Sequence, residues 1–226
     1  MISKRITIFA GHYGSGKTNI AVNFALSLRE EHDKVSIADL DIVNPYFRTK
    51  DSEKILAEKG IRLISSEYAN SNVDVPALPA EAYSIIDDLS VRAVIDVGGD
   101  DRGALALGRY TPSIIEQNDY EHLLVINKYR PLTPDCASTI GVMREIEIAC
   151  GMKFTGIVNN SNLGDETTAD DVISSIGYAE EISAASSLPI RMTTVKEDLF
   201  DTLKDKVANC TPIKLYVKQS WARATD

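Results

Sequence analysis

The sequence is poor in cysteine, in clustered basic charge and in long apolar runs. Its three cysteines, Cys136, Cys150 and Cys210, are too few and too scattered for a disulfide framework. Cys136 and Cys150 share an apolar stripe with Ile140, Met143 and Ile146, the spacing of one helix face. A helix between them would hold the two about 21 Å apart, too far for a bridge or a shared metal. Both are expected in the core. No Cys-x-x-Cys pair is present to carry an iron–sulfur cluster. No run of about 18 apolar residues occurs, so no segment reads as a membrane-spanning helix. Nothing like a signal peptide precedes the strand-like Ile6–Ala10, and the expected location is cytoplasmic. The formal net charge of −9 opposes binding to nucleic-acid phosphates, and no dense basic run offsets it. Neither membrane nor nucleic acid is an expected partner. Repeats, linkers and low-complexity tracts are missing too, so residues 1–226 are expected to form a single domain.

What is present is alternation. Short β-branched runs at Ile6–Ala10, Val35–Ala38, Ile61–Ile64, Ala93–Val97, Leu123–Ile126, Thr155–Val158 and Pro189–Met192 read as strands. Helical patterns lie between them at Lys17–Glu31, Ala80–Asp88, Ser113–Gln117, Pro134–Cys150 and Asp170–Ala185. Ile20, Phe24 and Leu28 mark the inner face of the first helix, and Pro212–Val217 reads as a final edge strand. This pattern predicts an α/β fold: three layers, a mostly parallel sheet with helices on both faces. Gly11, Asp39, Asp41, Asp96, Asn127 and Asn160 then all fall at carboxyl ends of strands, the edge where open α/β sheets bind ligands.

The strongest motif is Gly11-His12-Tyr13-Gly14-Ser15-Gly16-Lys17-Thr18, running on to Asn19. Gly-x-x-x-x-Gly-Lys-Thr between a strand and a helix is the phosphate-binding loop. Glycines let the backbone curl until successive N–H groups face phosphate oxygens, and the helix start adds its positive dipole end. Lys17 is expected to face solvent and reach the β- and γ-phosphates, while the Thr18 hydroxyl ligates Mg²⁺. Asp39 is read as bonding the metal's water shell, and Asp41 as orienting the attacking water. Asp96, closing Ala93-Val94-Ile95, resembles a Walker B aspartate and is the second metal-site carboxylate, and Gly99 offers a backbone N–H to the γ-phosphate.

Base choice follows from donors and acceptors. Guanine presents adjacent donors that call for a carboxylate, whereas adenine suits an amide. Asn127-Lys128-Tyr129-Arg130 lacks the aspartate of the guanine-reading Asn-Lys-x-Asp motif. Asn160 is the favoured adenine reader, with Asn159 its rival, and ATP is the expected nucleotide.

Taken together, these residues resemble the deviant-Walker P-loop ATPases: the septum-site and partition type, the Mrp-type carriers and the nitrogenase iron protein, with the cobyrinate amidase group alongside. The resemblance runs from Ile6 to Val195-Lys196-Glu197-Asp198, which is similar to the loop that covers the purine in that class. It implies a cytoplasmic, slow Mg-ATP hydrolase that forms a nucleotide-dependent homodimer and acts as a switch on a protein client. In that class a lysine near the start of the loop reaches the partner's nucleotide. Here those positions hold His12 and Tyr13, and a histidine is charged only part of the time near neutral pH. The cysteine pair of the carriers and a membrane-targeting tail are missing, Lys214-Leu215-Tyr216-Val217 with Trp221 being too short. The competing reading is a ligase related to dethiobiotin synthetase, with Asn70–Pro79 and Tyr46-Phe47-Arg48 lining a substrate pocket and Arg48 gripping an anion.

Overall fold

The computed structural model describes residues 4–40, 52–65, 81–99 and 101–216. Asp41, Tyr46-Phe47-Arg48, Asn70–Pro79, Val217 and Trp221, all given roles or readings above, lie outside them.

Among the described residues eight strands form one sheet in the order β3-β2-β4-β1-β5-β6-β7-β8, and every neighbouring pair is parallel. They are β1 Ile6–Ala10, β2 Val35–Leu40, β3 Arg62–Ser65, β4 Arg92–Val97, β5 Tyr120–Ile126, β6 Gly156–Asn159, β7 Ile190–Lys196 and β8 Cys210–Ile213. β1 and β2 are buried along their whole length. Burial on both faces is what lets such strands read as unbroken apolar runs. β8 closes the sheet beyond β7, two residues earlier than the tail pattern suggests, and its Pro212 sits where an edge strand tolerates a missing donor.

The helices are α1 Lys17–Glu31, α2 Glu53–Glu58, α3 Glu81–Asp87, α4 Asp101–Gly108, α5 Thr111–Gln117, α6 Cys136–Cys150, α7 Ala169–Ser174, α8 Ile176–Ser186 and α9 Phe200–Leu203. On one face of the sheet, α1 packs Ile20, Ala21, Ala25 and Leu28 over Phe9, Ile37 and Val94, joined by Leu56 of α2. Phe24 is partly buried there, its ring edge-on to Phe9 at 5.4 Å. On the opposite face α3, α4, α5, α6 and α8 cover Ile6, Ile8, Ile95 and Leu124. The Cys136–Cys150 stripe packs into this second cluster, as its spacing requires.

Two helices depart from the sequence pattern for visible reasons. α6 starts at Cys136, because the Asp135 carboxylate accepts the Ser138 N–H at 2.9 Å and caps it. The run Asp170–Ala185 is split at Ser175, whose hydroxyl donates to the Val172 carbonyl (2.7 Å) and accepts from Asn159 Nδ2 (3.0 Å). α1 is tied to the chain beyond β8: Asn23 Nδ2 donates to the Lys214 carbonyl (2.8 Å) and Asn23 Oδ1 accepts the Lys214 N–H (2.9 Å). Among the described residues no helix is long and apolar enough to cross a membrane.

Candidate functional site

β1 lies between β4 and β5, so the loop that leaves it emerges where the chain's connections diverge to the two halves of the sheet. Ligands bind at such a point. The loop from Gly11 to Gly16 turns tightly, the Ser15 N–H bonding the His12 carbonyl at 3.1 Å. α1 then begins at Lys17 behind Gly16, which has φ 91° and supplies no side-chain cap. Only glycine adopts that backbone without strain, and a Cβ there would collide with Asn160 Nδ2. Gly16 supplies no capping side chain to the first turn of α1, and a helix start of this kind suits an anion.

Lys17 is buried beneath the loop, 6% exposed, and Nζ donates to the His12 carbonyl at 3.1 Å. The expectation that it faces solvent is corrected: curling the loop over the first turn of α1 encloses the ammonium. Thr18 and Asn19 follow on the same turn and are partly exposed. The Ser15 hydroxyl is buried with no hydrogen-bond partner, a donor inside the loop that a ligand oxygen would satisfy. At the tip Tyr13 is 49% exposed. His12 donates from Nδ1 to the Tyr13 carbonyl at 2.9 Å.

Asp39 and Asp96 are both buried and are register partners on β2 and β4. Neighbouring parallel strands run about 4.8 Å apart with paired side chains on the same face. Asp96 is also paired with Phe9 on β1, one residue before Ala10 and the loop. Among the described residues no group of three or more His, Cys, Asp and Glu side chains could cage a metal alone. Hard oxygen donors from a carboxylate pair and a threonine suit Mg²⁺, which takes few protein ligands and keeps its waters. Gly99, after β4, lies against the loop: a Cβ on it would be 2.6 Å from Tyr13 N and 3.0 Å from Lys17 Nζ. The structure therefore brings the loop, Lys17, Asp96 and Gly99 together, with Asp39 one strand further out.

Beyond β5 and β6 the strand ends form a buried amide network. Asn160 Nδ2 donates to the Ser15 carbonyl at 2.6 Å, and Asn160 Oδ1 accepts from Thr194 Oγ1 at 2.5 Å. Asn159 is equally committed, donating to Ser175 Oγ at 3.0 Å and accepting from Ser161 Oγ at 2.8 Å. Each amide still has a second N–H, and Asn160 Oδ1 a second acceptor site, beyond these bonds. The Lys196-Glu197-Asp198 segment leaves β7 as a tight turn, Lys196 Nζ donating to the Asp165 carbonyl at 3.1 Å and pairing with Asp198 at 3.4 Å. Thr194 and Arg130, which lies against the loop at Gly14, are site residues that the sequence reading passed over. Thr194 has no motif to reveal it. In the sequence Arg130 stands only as the residue that breaks a guanine-reading motif.

No protein-family model matches the chain, and a search among curated proteins finds no match. Among solved structures it is similar to FtsY from Mycoplasma mycoides (22% identity, TM-score 0.53, covering 84% of this chain and 59% of that one). It is also similar to the signal recognition particle 54 kDa protein from Aeropyrum pernix K1 in complex with GDP (20%, 0.53, 83% and 40%). The cell division protein FtsY from Thermotoga maritima gives 21%, 0.54, 87% and 64%. The chain thus spans between 40 and 64% of the length of these structures. At such identities the likeness establishes the fold, an α/β P-loop architecture on one parallel sheet. It does not single out the partition-type group that the motifs resemble.

Proposed function

We propose that the chain binds a purine nucleoside triphosphate with Mg²⁺, hydrolyses it slowly and uses the cycle as a switch on a protein client. One observation carries this reading: the uncapped start of α1, the buried Lys17 ammonium, Asp96 and Gly99 all meet at the mouth of one tight loop. Backbone N–H groups and Lys17 would hold the phosphates. Thr18 with the Asp39–Asp96 pair would hold Mg²⁺, which when bound neutralises charge on the phosphate oxygens. Gly99 packs on Tyr13, and in this reading its N–H would follow the γ-phosphate and move when it leaves. Asp41 keeps the role of orienting water, by its sequence position one residue past β2.

ATP is the proposed nucleotide, although two structural neighbours hold GDP. Supporting it, residue 130 is an arginine turned toward the loop, where a guanine reader needs a carboxylate. The dimer is proposed from the motif resemblance, with His12 in the signature lysine's position. The test is calorimetry with Mg-ATP and Mg-GTP on the wild type and on Lys17→Ala. Tight binding by the wild type, at least about tenfold weaker for GTP and abolished in a folded Lys17→Ala, is expected. Unchanged affinity in Lys17→Ala with native circular dichroism would sink the phosphate assignment. Light scattering with and without Mg-ATP decides the dimer, most clearly in Asp41→Ala, which should retain ATP at least about a hundredfold longer.

A further inference from the structure

The segment Asn127-Lys128-Tyr129-Arg130 has no task as a base reader, yet the structure fixes each residue. Asn127 is buried and closes a turn after β5: its Oδ1 accepts the N–H groups of Tyr129 (3.0 Å) and Asn162 (3.3 Å). Its carbonyl accepts the Arg130 N–H at 3.2 Å and the Thr133 hydroxyl at 3.3 Å. Lys128 Nζ donates to the Ser174 carbonyl at 3.0 Å, and the Tyr129 hydroxyl donates to the Asp171 carbonyl at 2.8 Å, both in α7. Further on, the Thr133 carbonyl accepts the Tyr178 hydroxyl of α8 at 2.9 Å. The turn is held from several sides and is rigid.

Arg130 faces the other way. A Cβ on Gly14 would lie 3.4 Å from its Nε, 3.6 Å from Cζ and 3.7 Å from Cδ, so the side chain rests against the backbone at the middle of the loop. Nε is buried and has no hydrogen-bond partner. Among the described residues no carboxylate pairs with the guanidinium. Burial lowers its pKa, with the Tyr13 phenol opposing. A partly desolvated cation with an unmet donor, fixed on a rigid turn beside an uncapped helix start, is completed by an anion.

We propose that Arg130 is a phosphate-binding residue, gripping from the β5 side the same phosphate chain that Lys17 and the loop hold; this rests on the nucleotide reading above. A planar fork of donors grips two oxygens at once, which a lysine does not.

The experiment is titration calorimetry of the full chain with Mg-ATP and with inorganic pyrophosphate, on wild type, Arg130→Met and Arg130→Lys. Arg130→Met is expected to weaken both ligands at least about tenfold and to flatten the salt dependence of Mg-ATP binding, while Arg130→Lys recovers part of each. Wild-type affinities and salt slope in Arg130→Met would overturn the proposal, and a lowered Tm of the unliganded protein with unchanged affinity would make Arg130 a packing residue. If Arg130→Met fails to fold, a folded Arg130→Lys with full affinity for both ligands overturns it equally. Arg130-dependent pyrophosphate binding without nucleotide binding would leave Arg130 standing and remove the nucleotide reading. Wild type binding neither ligand overturns both.

Discussion

Asp39 and Asp96 are paired in register across β2 and β4, two buried carboxylates on adjacent strands near the carboxyl edge of the sheet. Like charges so placed repel unless a cation lies near them. Chelating Mg²⁺ with EDTA is therefore expected to weaken ATP binding at least about tenfold, roughly 1.4 kcal/mol. In Asp96→Asn the gap between chelated and Mg²⁺-replete affinity should shrink to less than half. An affinity indifferent to chelation in the wild type would remove the metal from this pair.

Asn160→Ala tests the bond between the end of β6 and the loop. The substitution leaves the Ser15 carbonyl and the Thr194 hydroxyl without the amide that now serves both. Losing a buried partner costs about 1–3 kcal/mol. The unliganded protein should melt several degrees lower by calorimetry, before any effect on ATP is measured. A Tm equal to wild type would show that water replaces the amide freely.

Gly99→Ala would bring a methyl group within 2.6 Å of the Tyr13 backbone nitrogen, closer than side-chain carbons approach such atoms. The loop or the end of β4 must shift. ATP affinity is expected to fall at least about tenfold, with a loss of stability on the order of 1–3 kcal/mol. Retention of both values would show that the two segments separate readily.

His122 predicts the acid limb of the stability curve. Its ring is fully buried in β5 and stacked on Phe154 at 3.9 Å, with backbone groups of Lys153 and Met152 offsetting only part of that burial. Burial drives its pKa from 6.5 down to about 3. The unfolded chain then binds the extra proton between those values, so stability is fully present above about pH 6.5 and is lost as pH falls toward 3. The loss should be on the order of a few kcal/mol. His122→Leu should leave stability at pH 7 near wild type and flatten its fall toward pH 4. An equally steep fall in the variant would assign the acid limb to other groups.

The sheet was legible because most of its strands carry a short apolar run, and because Gly, Asp or Asn stands near the end of β1, β2, β4, β5 and β6. Legibility failed where polar residues continue a strand. Asp39 in β2 and Thr193, Thr194 and Lys196 in β7 look like loop, yet ladder pairing with β4 and β8 keeps them extended. α4 was hidden by Gly103 and Gly108, poor helix formers; at Gly103 only a hydrogen fits, since a Cβ would be 2.6 Å from the Gly98 backbone. The phosphate loop could be read from spacing alone. Arg130 could not, since its meaning depends on which way a turn faces, and that is set by Asn127 and Tyr129 bonding to distant segments.

The Asn23–Lys214 clasp joins positions 191 residues apart. Contacts of such sequence separation carry a large loop-closure cost and form late in folding. The clasp on the helix bearing Lys17 and Thr18 is thus expected to close only once the last strand has docked, after the helix has packed on Phe9, Ile37 and Val94. A newly made chain would hold the glycine loop long before it held a finished cradle. Any ligand of that cradle would reward the completed topology and leave earlier, partly assembled forms unstabilised.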